Sequence, residues 1–421
     1  MALSFSLPRR EVAAWALYDW ANSAFATTVV AGLFPAFYGS FWDPGDAAHS
    51  TAHLGLGNTI ASISVAIMAP MLGAIADRGG ARKKFLLAFT LLGVAMSAAL
   101  FFVGQGQWFQ AMTVFVIGNI GFNGACSFYD SMLVDVAEPE KFDSISALGF
   151  SVGYLGGGLL FALNVVMVKK PELFGIPDVP TAIRLSFVTV AVWWAVFTIP
   201  YIFLVKERSG PNPLPLRQAA VAGLKQFAET FHELRRLKPA LMFIIAYVLY
   251  IDGVNTVIRM AVKFGSDLKF PTGVLIGALL VTQFVAFPAA LAFGKIGERI
   301  GAKRGILAAL AVYGGITIFG SMMTKPSHFY MLAVMVGLVQ GGVQSLSRSF
   351  FARLIPTDKA GEFFGFYNML GKAAAIIGPT LMAVVGLLSP NPRYSILSLL
   401  VLFIAGAAVL RIVPEPETPA A

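Results

Sequence analysis

The sequence predicts an all-α membrane protein in which twelve transmembrane helices form two pseudo-symmetric six-helix bundles. Three observations predict it. Apolar residues make up 57% of the 421-residue chain and charged residues only 13%, against roughly 25% charged in a soluble domain, and the mean hydropathy is +0.75. Apolar runs of about 20 residues, each long enough to cross a bilayer, recur from end to end. A basic turn occurs twice in register: residues 73–84 read GAIADRGGARKK and residues 294–305 read GKIGERIGAKRG. At a constant offset of 221 residues, Gly73 matches Gly294, Asp77 matches Glu298, Arg78 matches Arg299, Gly80 matches Gly301 and Arg82 matches Lys303. Two independent basic loops would not agree at five positions, so the halves are read as a duplication, which in an apolar chain points to a transporter.

In chain order, the predicted spans of the first half are 12–40, 54–77, 85–104, 108–135, 144–168 and 184–205. Those of the second half are 239–263, 271–294, 303–324, 329–354, 362–388 and 394–412. Gly and Pro inside these runs do not argue against helix, because membrane helices tolerate both. The start of the chain, with Arg9 and Arg10 before an apolar run, resembles a signal peptide. Its run is too long for one and carries Asp19 and Asn22, so it is read as a retained first helix. Residues 1–205 form the predicted N-terminal bundle and 239–414 the C-terminal bundle. Between them, 206–238 is a linker. Its first part is proline-rich and extended, and its second places Val221, Leu224, Phe227, Phe231 and Leu234 on one helical face, as in a helix lying on the membrane surface. Residues 415–421 are expected to be disordered.

Charge sets the orientation. With both termini cytoplasmic, 21 of the 31 Lys and Arg residues fall on the inner side, 7 on the outer, and 3 (Arg259, Arg348, Lys372) inside helices. That asymmetry is the positive-inside signature of an inner-membrane protein. Its alternation between loops also excludes nucleic acid as the reason for the net charge of +9. Trp42 and Trp108 at outer helix ends, and Trp15 at an inner one, are expected as interface anchors. The single cysteine, Cys126, permits no intramolecular disulfide.

Enzymatic chemistry is not expected. No GxxxxGK[ST] loop and no Ser/His/Asp or Cys/His arrangement occurs. The run Gly156-Gly157-Gly158 lies in an apolar helix and reads as close helix packing. His49 and His53, near Asp43 and Asp46, are either loop residues or a weak metal site. The informative residues are charges and amides inside predicted spans, each charge costing roughly 2.5–3.5 kcal/mol to insert. Asp19, Asn22 and Ser23 share a face of the first span, and Asp252, Asn255 and Arg259 a face of the seventh, an echo at offset 233. The fourth span carries Asn119, Asn123, Ser127 and Asp130. The tenth carries Gln340, Gln344 and Arg348, and the eleventh Asn368 and Lys372. Polar glue between helices is one reading; a common cavity lined by equivalent helices is the other. By depth, Asp19, Asp130 and Arg348 fall toward the inner mouth, where one acid is expected to pair with Arg348. Asp252 and Lys372 fall nearer the midplane, roughly 15–20 Å in at 1.5 Å per residue. The expected substrate or coupling residues are Asp252, Asn255, Arg259, Lys372, Asn22, Asn123 and Gln344. Asp252 and Lys372 form either a static pair or a switch in which Asp252 takes a proton.

With twelve helices in two repeats and a Gly-xxx-Asp-Arg-x-Gly turn after the second, the chain resembles the major facilitator superfamily over nearly its whole length. That resemblance implies that the turn helps hold the cytoplasmic side shut, a role that falls on Asp77, Arg78, Gly80 and Arg82, with Lys83 following. Glu298 and Arg299 would be the repeat's weaker echo. Ala81 stands where that family often has a basic residue. The fourth span carries Asp130 and lacks the Arg of proton-driven drug exporters, which counts against multidrug antiport. More narrowly, YDWANSAF (18–25), Tyr250-Ile251-Asp252-Gly253, QGGVQSLSRS (340–349) and FFGFYN (363–368) resemble a bacterial branch allied to the vacuolar, autophagy-related effluxers, which are linked in fungi to amino-acid release. The resemblance implies a secondary transporter of a small polar solute, with amino acids or related zwitterions first, then sugars and lipid-like or drug-like solutes. A transporter-fold sensor or assembly protein is the rival class. Expected partners are a small-molecule substrate and the lipid bilayer, with protons as the candidate coupling ion; the chain is expected to act as a monomer without cofactor or metal.

The charge asymmetry predicts that a cysteine at position 225, introduced as Lys225→Cys in a Cys126→Ser background, is not labelled by an impermeant maleimide added to intact cells. Efficient labelling from outside would overturn the orientation.

Overall fold

The computed structural model describes residues 9–45, 47–207, 233–267, 270–374, 377–388 and 392–415, together with Pro215, Gln218 and Val221. Among the described residues, twelve helices are long and apolar enough to cross a membrane. In chain order they are α1 (Arg10–Trp42), α2 (Ala52–Gly79), α3 (Arg82–Phe102), α4 (Trp108–Val136), α5 (Pro139–Lys169), α6 (Val179–Leu204), α7 (Lys238–Ile258), α8 (Gly273–Ile300), α9 (Ala302–Ser321), α10 (Pro326–Leu354), α11 (Thr357–Leu388) and α12 (Arg393–Ile412). Each coincides with one predicted span. Apolar run length, the property that fixed the expectation, is also what keeps every backbone bond inside a segment in lipid.

An even number of spans returns both chain ends to one side, here called the terminal face. The backbone N–H of Lys206, after α6, donates to Glu11 at the start of α1 (2.8 Å), and Lys303 Nζ donates to the Val413 carbonyl after α12 (2.7 Å). In the first bundle α1 packs on α5 and α6, while α4 packs on α2 and α3. The second bundle repeats this with α7 on α11 and α12, and α10 on α8 and α9. The bundles meet along two seams related by the same pseudo-two-fold, α2 with α11 and α5 with α8.

The duplicated turn explains how the seams close. Gly73 of α2 abuts the carbonyl of Gly361 at the start of α11, and Gly294 of α8 abuts Ala147 and Ser144 at the start of α5. A side chain at either position would collide with the opposite bundle. Gly80 (φ +56°) and Gly301 (φ +90°) take the left-handed backbone needed to turn directly into the next helix. The Gly156–Gly158 run serves packing as well: Gly156 lies on Trp20, Gly157 on Ser23 and Thr27 of α1, and Gly158 on Gln283 of α8. In α1 the chain winds as π-helix over Phe25–Leu33 and again over Tyr38–Trp42, on either side of Pro35, whose missing N–H breaks the ladder.

Two expectations need correcting. Trp15 and Trp42 are fully buried and are not interface anchors: their indole N–H groups donate to the carbonyls of Tyr129 (3.3 Å) and Val103 (3.2 Å). Position along a helix gives depth, but the side of the helix decides whether a ring meets lipid or core. Trp108 does remain partly exposed, stacked on His53. Of the predicted amphipathic linker face, Leu234 is buried and Val221 exposed; Leu224, Phe227 and Phe231, like the tail beyond residue 415, lie outside the described residues.

Candidate functional site

The terminal face is organised around Asp77 and Arg82, both about 5% exposed. Arg82, the first residue of α3, donates from Nε to Asp77 Oδ1 (2.6 Å), from Nη1 to Asp135 Oδ2 of α4 (3.1 Å) and from Nη2 to the carbonyl of Thr357, the first residue of α11 (3.3 Å). Asp77 in turn accepts the backbone N–H groups of Gly361 (3.0 Å) and Glu362 (2.8 Å). These are orphan donors in the first turn of the α-helical part of α11, which begins at Ala360 after a 3-10 turn, at the positive end of its dipole. Asp77 therefore caps a helix of the other bundle. Glu207, after α6, accepts the N–H groups of Arg82 (2.9 Å) and Lys83 (3.1 Å), and Lys83 Nζ caps α6 in return through the Ile202 and Val205 carbonyls (2.7 Å each).

The repeat does not reproduce this chemistry at the second seam. Glu298 and Arg299 are exposed on α8, as Arg78 is in the last turn of α2, and among the described residues Glu298 is not brought to the opposite bundle. The acid at that seam is Asp143 of α5, which sequence reasoning missed. It is 4% exposed, accepts from the Ser349 hydroxyl and pairs with Arg353 of α10 at 2.8 Å. The available signal was Asp143 standing at the start of α5 as Glu362 stands at the start of α11.

One layer deeper, Arg348 of α10 is 2% exposed and crosses to the first bundle. Its Nη1 donates to Asp130 Oδ1 (3.0 Å), Nε to Ser146 Oγ (2.9 Å) and Nη2 to the Ser146 carbonyl (2.8 Å). Its guanidinium also lies 5.0 Å from the Trp15 ring, 5.2 Å from Tyr129 and 4.3 Å from Phe150. Asn368 of α11 donates to the other Asp130 oxygen (3.2 Å). Of the two acids expected at this depth, the structure joins Asp130 to Arg348; Asp19 accepts from Ser23 Oγ (3.3 Å). Asp130 and Arg348 are 218 residues apart in sequence, the same offset as Asp135 and Arg353. Equivalent positions of the duplicated helices thus carry acids in α4 and bases in α10.

Toward the midplane, Lys372 of α11 donates to Asn123 Oδ1, Asn123 Nδ2 donates to Asn119 Oδ1 (2.7 Å), and Asn119 Nδ2 donates to Asn58 Oδ1 of α2 (3.3 Å). Asp252 of α7 is fully buried and accepts the backbone N–H of Gly378 in α11. Gln344 accepts from the Tyr154 hydroxyl (2.6 Å), and Gln283 donates to Thr27 Oγ1 (2.7 Å). Asn255 is half-buried and Asn22 buried; the side chain of Arg259 lies outside the described residues. Cys126 is partly exposed, one turn from both Asn123 and Asp130. On the opposite face, His53 pairs with Asp43 (2.9 Å) and stacks on Trp108 (4.4 Å), a brace between α1, α2 and α4. The polar bonds between the bundles run from the terminal face up to the Thr27–Gln283 level, so this conformation is shut at the terminal face.

Breaking the Arg348–Asp130 pair at one end strands a buried charge. Arg348→Met alone is expected to cost about 3–5 kcal/mol, and the double variant Arg348→Met/Asp130→Leu to recover most of it. Melting of the purified variants checks this; strictly additive losses would contradict the pairing.

The site can be set beside known proteins. Residues 47–418 match the family described as "Vacuole effluxer Atg22 like". An uncharacterized MFS-type transporter of Bacillus subtilis (strain 168), YxiO, is 39% identical over 404 residues, which cover 95% of this chain and 94% of that one. Autophagy-related protein 22 of Yarrowia lipolytica is 24% identical over 434 residues, covering 81% of this chain and 72% of the relative. Among solved structures, the human organic anion transporter MFSD10 superposes with a TM-score of 0.72 at 18% identity, covering 96% of this chain and all of that one. The proton:xylose symporter XylE superposes with a TM-score of 0.70 at 13% identity, covering 96% and 95%. Those two likenesses establish the fold, and the fold, the matched residues and the Bacillus relative together place the chain: it belongs to the Atg22-like vacuole effluxer family of major facilitator transporters.

Proposed function

We propose that the chain moves an amino acid or a related zwitterion across the inner membrane by alternating access, as a monomer, with its termini and linker in the cytoplasm. The observation that carries this reading is the bond from Lys372 to Asn123. It is a cation bonded to a neutral amide in the midplane layer, and a substrate carboxylate is a stronger acceptor than the amide it would replace. Acids of the same polar interior, with Asp252 foremost, supply the counterpart for an ammonium group, and Asn255, Gln344 and Asn22 supply neutral contacts. The family's description as effluxers supports movement out of the compartment that the terminal face meets. Proton coupling is assigned to Asp252, whose carboxylate holds the Gly378 backbone and would release it on protonation.

A second reading is supported by the amide chain Asn123–Asn119–Asn58, which suits hydroxyl-rich solutes such as sugars. Uptake into proteoliposomes decides between them, using amino acids, sugars and organic anions with and without a pH gradient. Zwitterions are expected to accumulate, Lys372→Gln to reduce their uptake at least about tenfold (roughly 1.4 kcal/mol), and Asp252→Asn to abolish accumulation while sparing exchange. Movement of sugars alone, or Asp252→Asn with both activities intact, would contradict the assignment.

A further inference from the structure

We infer that Asn58 and Asn119 are positioning residues for transport: they hold the Asn123 amide so that, with Lys372, it fits an ammonium and a carboxylate borne by one carbon and rejects wider spacings. This role rests on the zwitterion reading above and narrows it to one head-group geometry. Three amides form a line and point one way. Asn123 Oδ1 accepts from Lys372 of α11. Asn123 Nδ2 donates twice to a single residue, to Asn119 Oδ1 (2.7 Å) and to the Asn119 carbonyl (2.8 Å). Asn119 Nδ2 donates on to Asn58 Oδ1 of α2 (3.3 Å), and Asn58 Nδ2 to the Leu54 carbonyl one turn earlier (3.0 Å). An amide has one acceptor oxygen and one donor nitrogen, so a bond at each end fixes which way it faces.

Asn119 and Asn123 are buried, and Asn58 is exposed on α2. Asn22 is the contrast: it is buried with Nδ2 unbonded among the described residues, so no such bond sets its amide. Double donation from Asn123 Nδ2 also draws electron density to Oδ1 and makes that oxygen a stronger acceptor. Lys372 Nζ and Asn123 Oδ1 stand at hydrogen-bond distance. In an α-amino acid the ammonium and the carboxylate share one carbon, so their polar atoms also lie about a hydrogen-bond length apart. Such a molecule exchanges partners without losing a bond. Its carboxylate takes Lys372, and its ammonium takes the Asn123 oxygen that Lys372 leaves. A monocarboxylate, or an amino acid with more carbons between its charges, takes Lys372 but strands Asn123 Oδ1, a buried acceptor that the other two amides keep from turning away. Asn123 is neutral, so it sets the position of the ammonium while acids of the same interior balance its charge.

Isothermal titration of the full chain, purified in detergent, tests this with L-alanine and β-alanine, isomers that differ in the spacing of the two charges. The unsubstituted chain is expected to bind L-alanine at least about tenfold more tightly than β-alanine. Asn119→Ala is expected to weaken L-alanine about tenfold and leave β-alanine unchanged, which removes the preference. Asn58→Ala, at an exposed position that spares the fold, is expected to reduce the preference about threefold, and Asn58→Asp, which still accepts from Asn119, to retain it. A role in packing alone would weaken both isomers alike. Binding of neither isomer overturns the zwitterion reading and the positioning role together. Binding of both without preference, or a preference that survives unchanged in Asn119→Ala and Asn58→Ala, overturns the positioning role and leaves the zwitterion reading standing.

Discussion

The closed terminal face is built around one interaction, the Asp77 carboxylate on the start of α11. Everything around it sets that carboxylate in place. Gly73 lets α2 approach α11 to backbone contact, Gly80 turns the chain at once into α3, and Arg82 then reaches back to Asp77 while joining Asp135 and the Thr357 carbonyl. Glu207 fixes the backbone from which Arg82 projects. A charge at a helix end contributes about 0.3–1 kcal/mol when exposed and up to about 2 when partly buried. A few such terms suffice to favour one state of a transporter and remain small enough to be reversed by substrate or ion binding.

Duplication alone would place like charges opposite one another at the pseudo-two-fold. The chain avoids this by inverting sign between repeats: Asp130 and Asp135 of α4 stand where Arg348 and Arg353 stand in α10. Arg348 then crosses to Asp130, and Arg353 crosses to Asp143. The seams attract, yet each bond is held at the cost of desolvating charge, which makes them specific and reversible more than strongly stabilising.

The fold was legible because run length and charge alternation are written in residue types. So was the repeat: Gly80 and Gly301 match in sequence because both need positive φ. The shared depth of Asp130 and Arg348 followed from counting residues along helices. What the sequence did not carry was direction around the helix axis, and so Trp15 and Trp42 were assigned to the interface although they face the core. Nor could it show bonds to the backbone: Gly378 holds Asp252 and the start of α11 holds Asp77 through N–H groups that every non-proline residue has. Glu298 matched Asp77 by position, but α5 brings its own acid, Asp143, to that seam, leaving Glu298 in solvent.

The direct test of this account is the distance across the α2–α11 seam. Spin labels at the exposed positions 84 and 358, in a Cys126→Ser background, report the separation of α3 from the start of α11. The account predicts a single short population in the otherwise native chain and an added, longer one in Asp77→Asn, which keeps the side-chain shape but removes the charge. Identical distance distributions in the two proteins would contradict it.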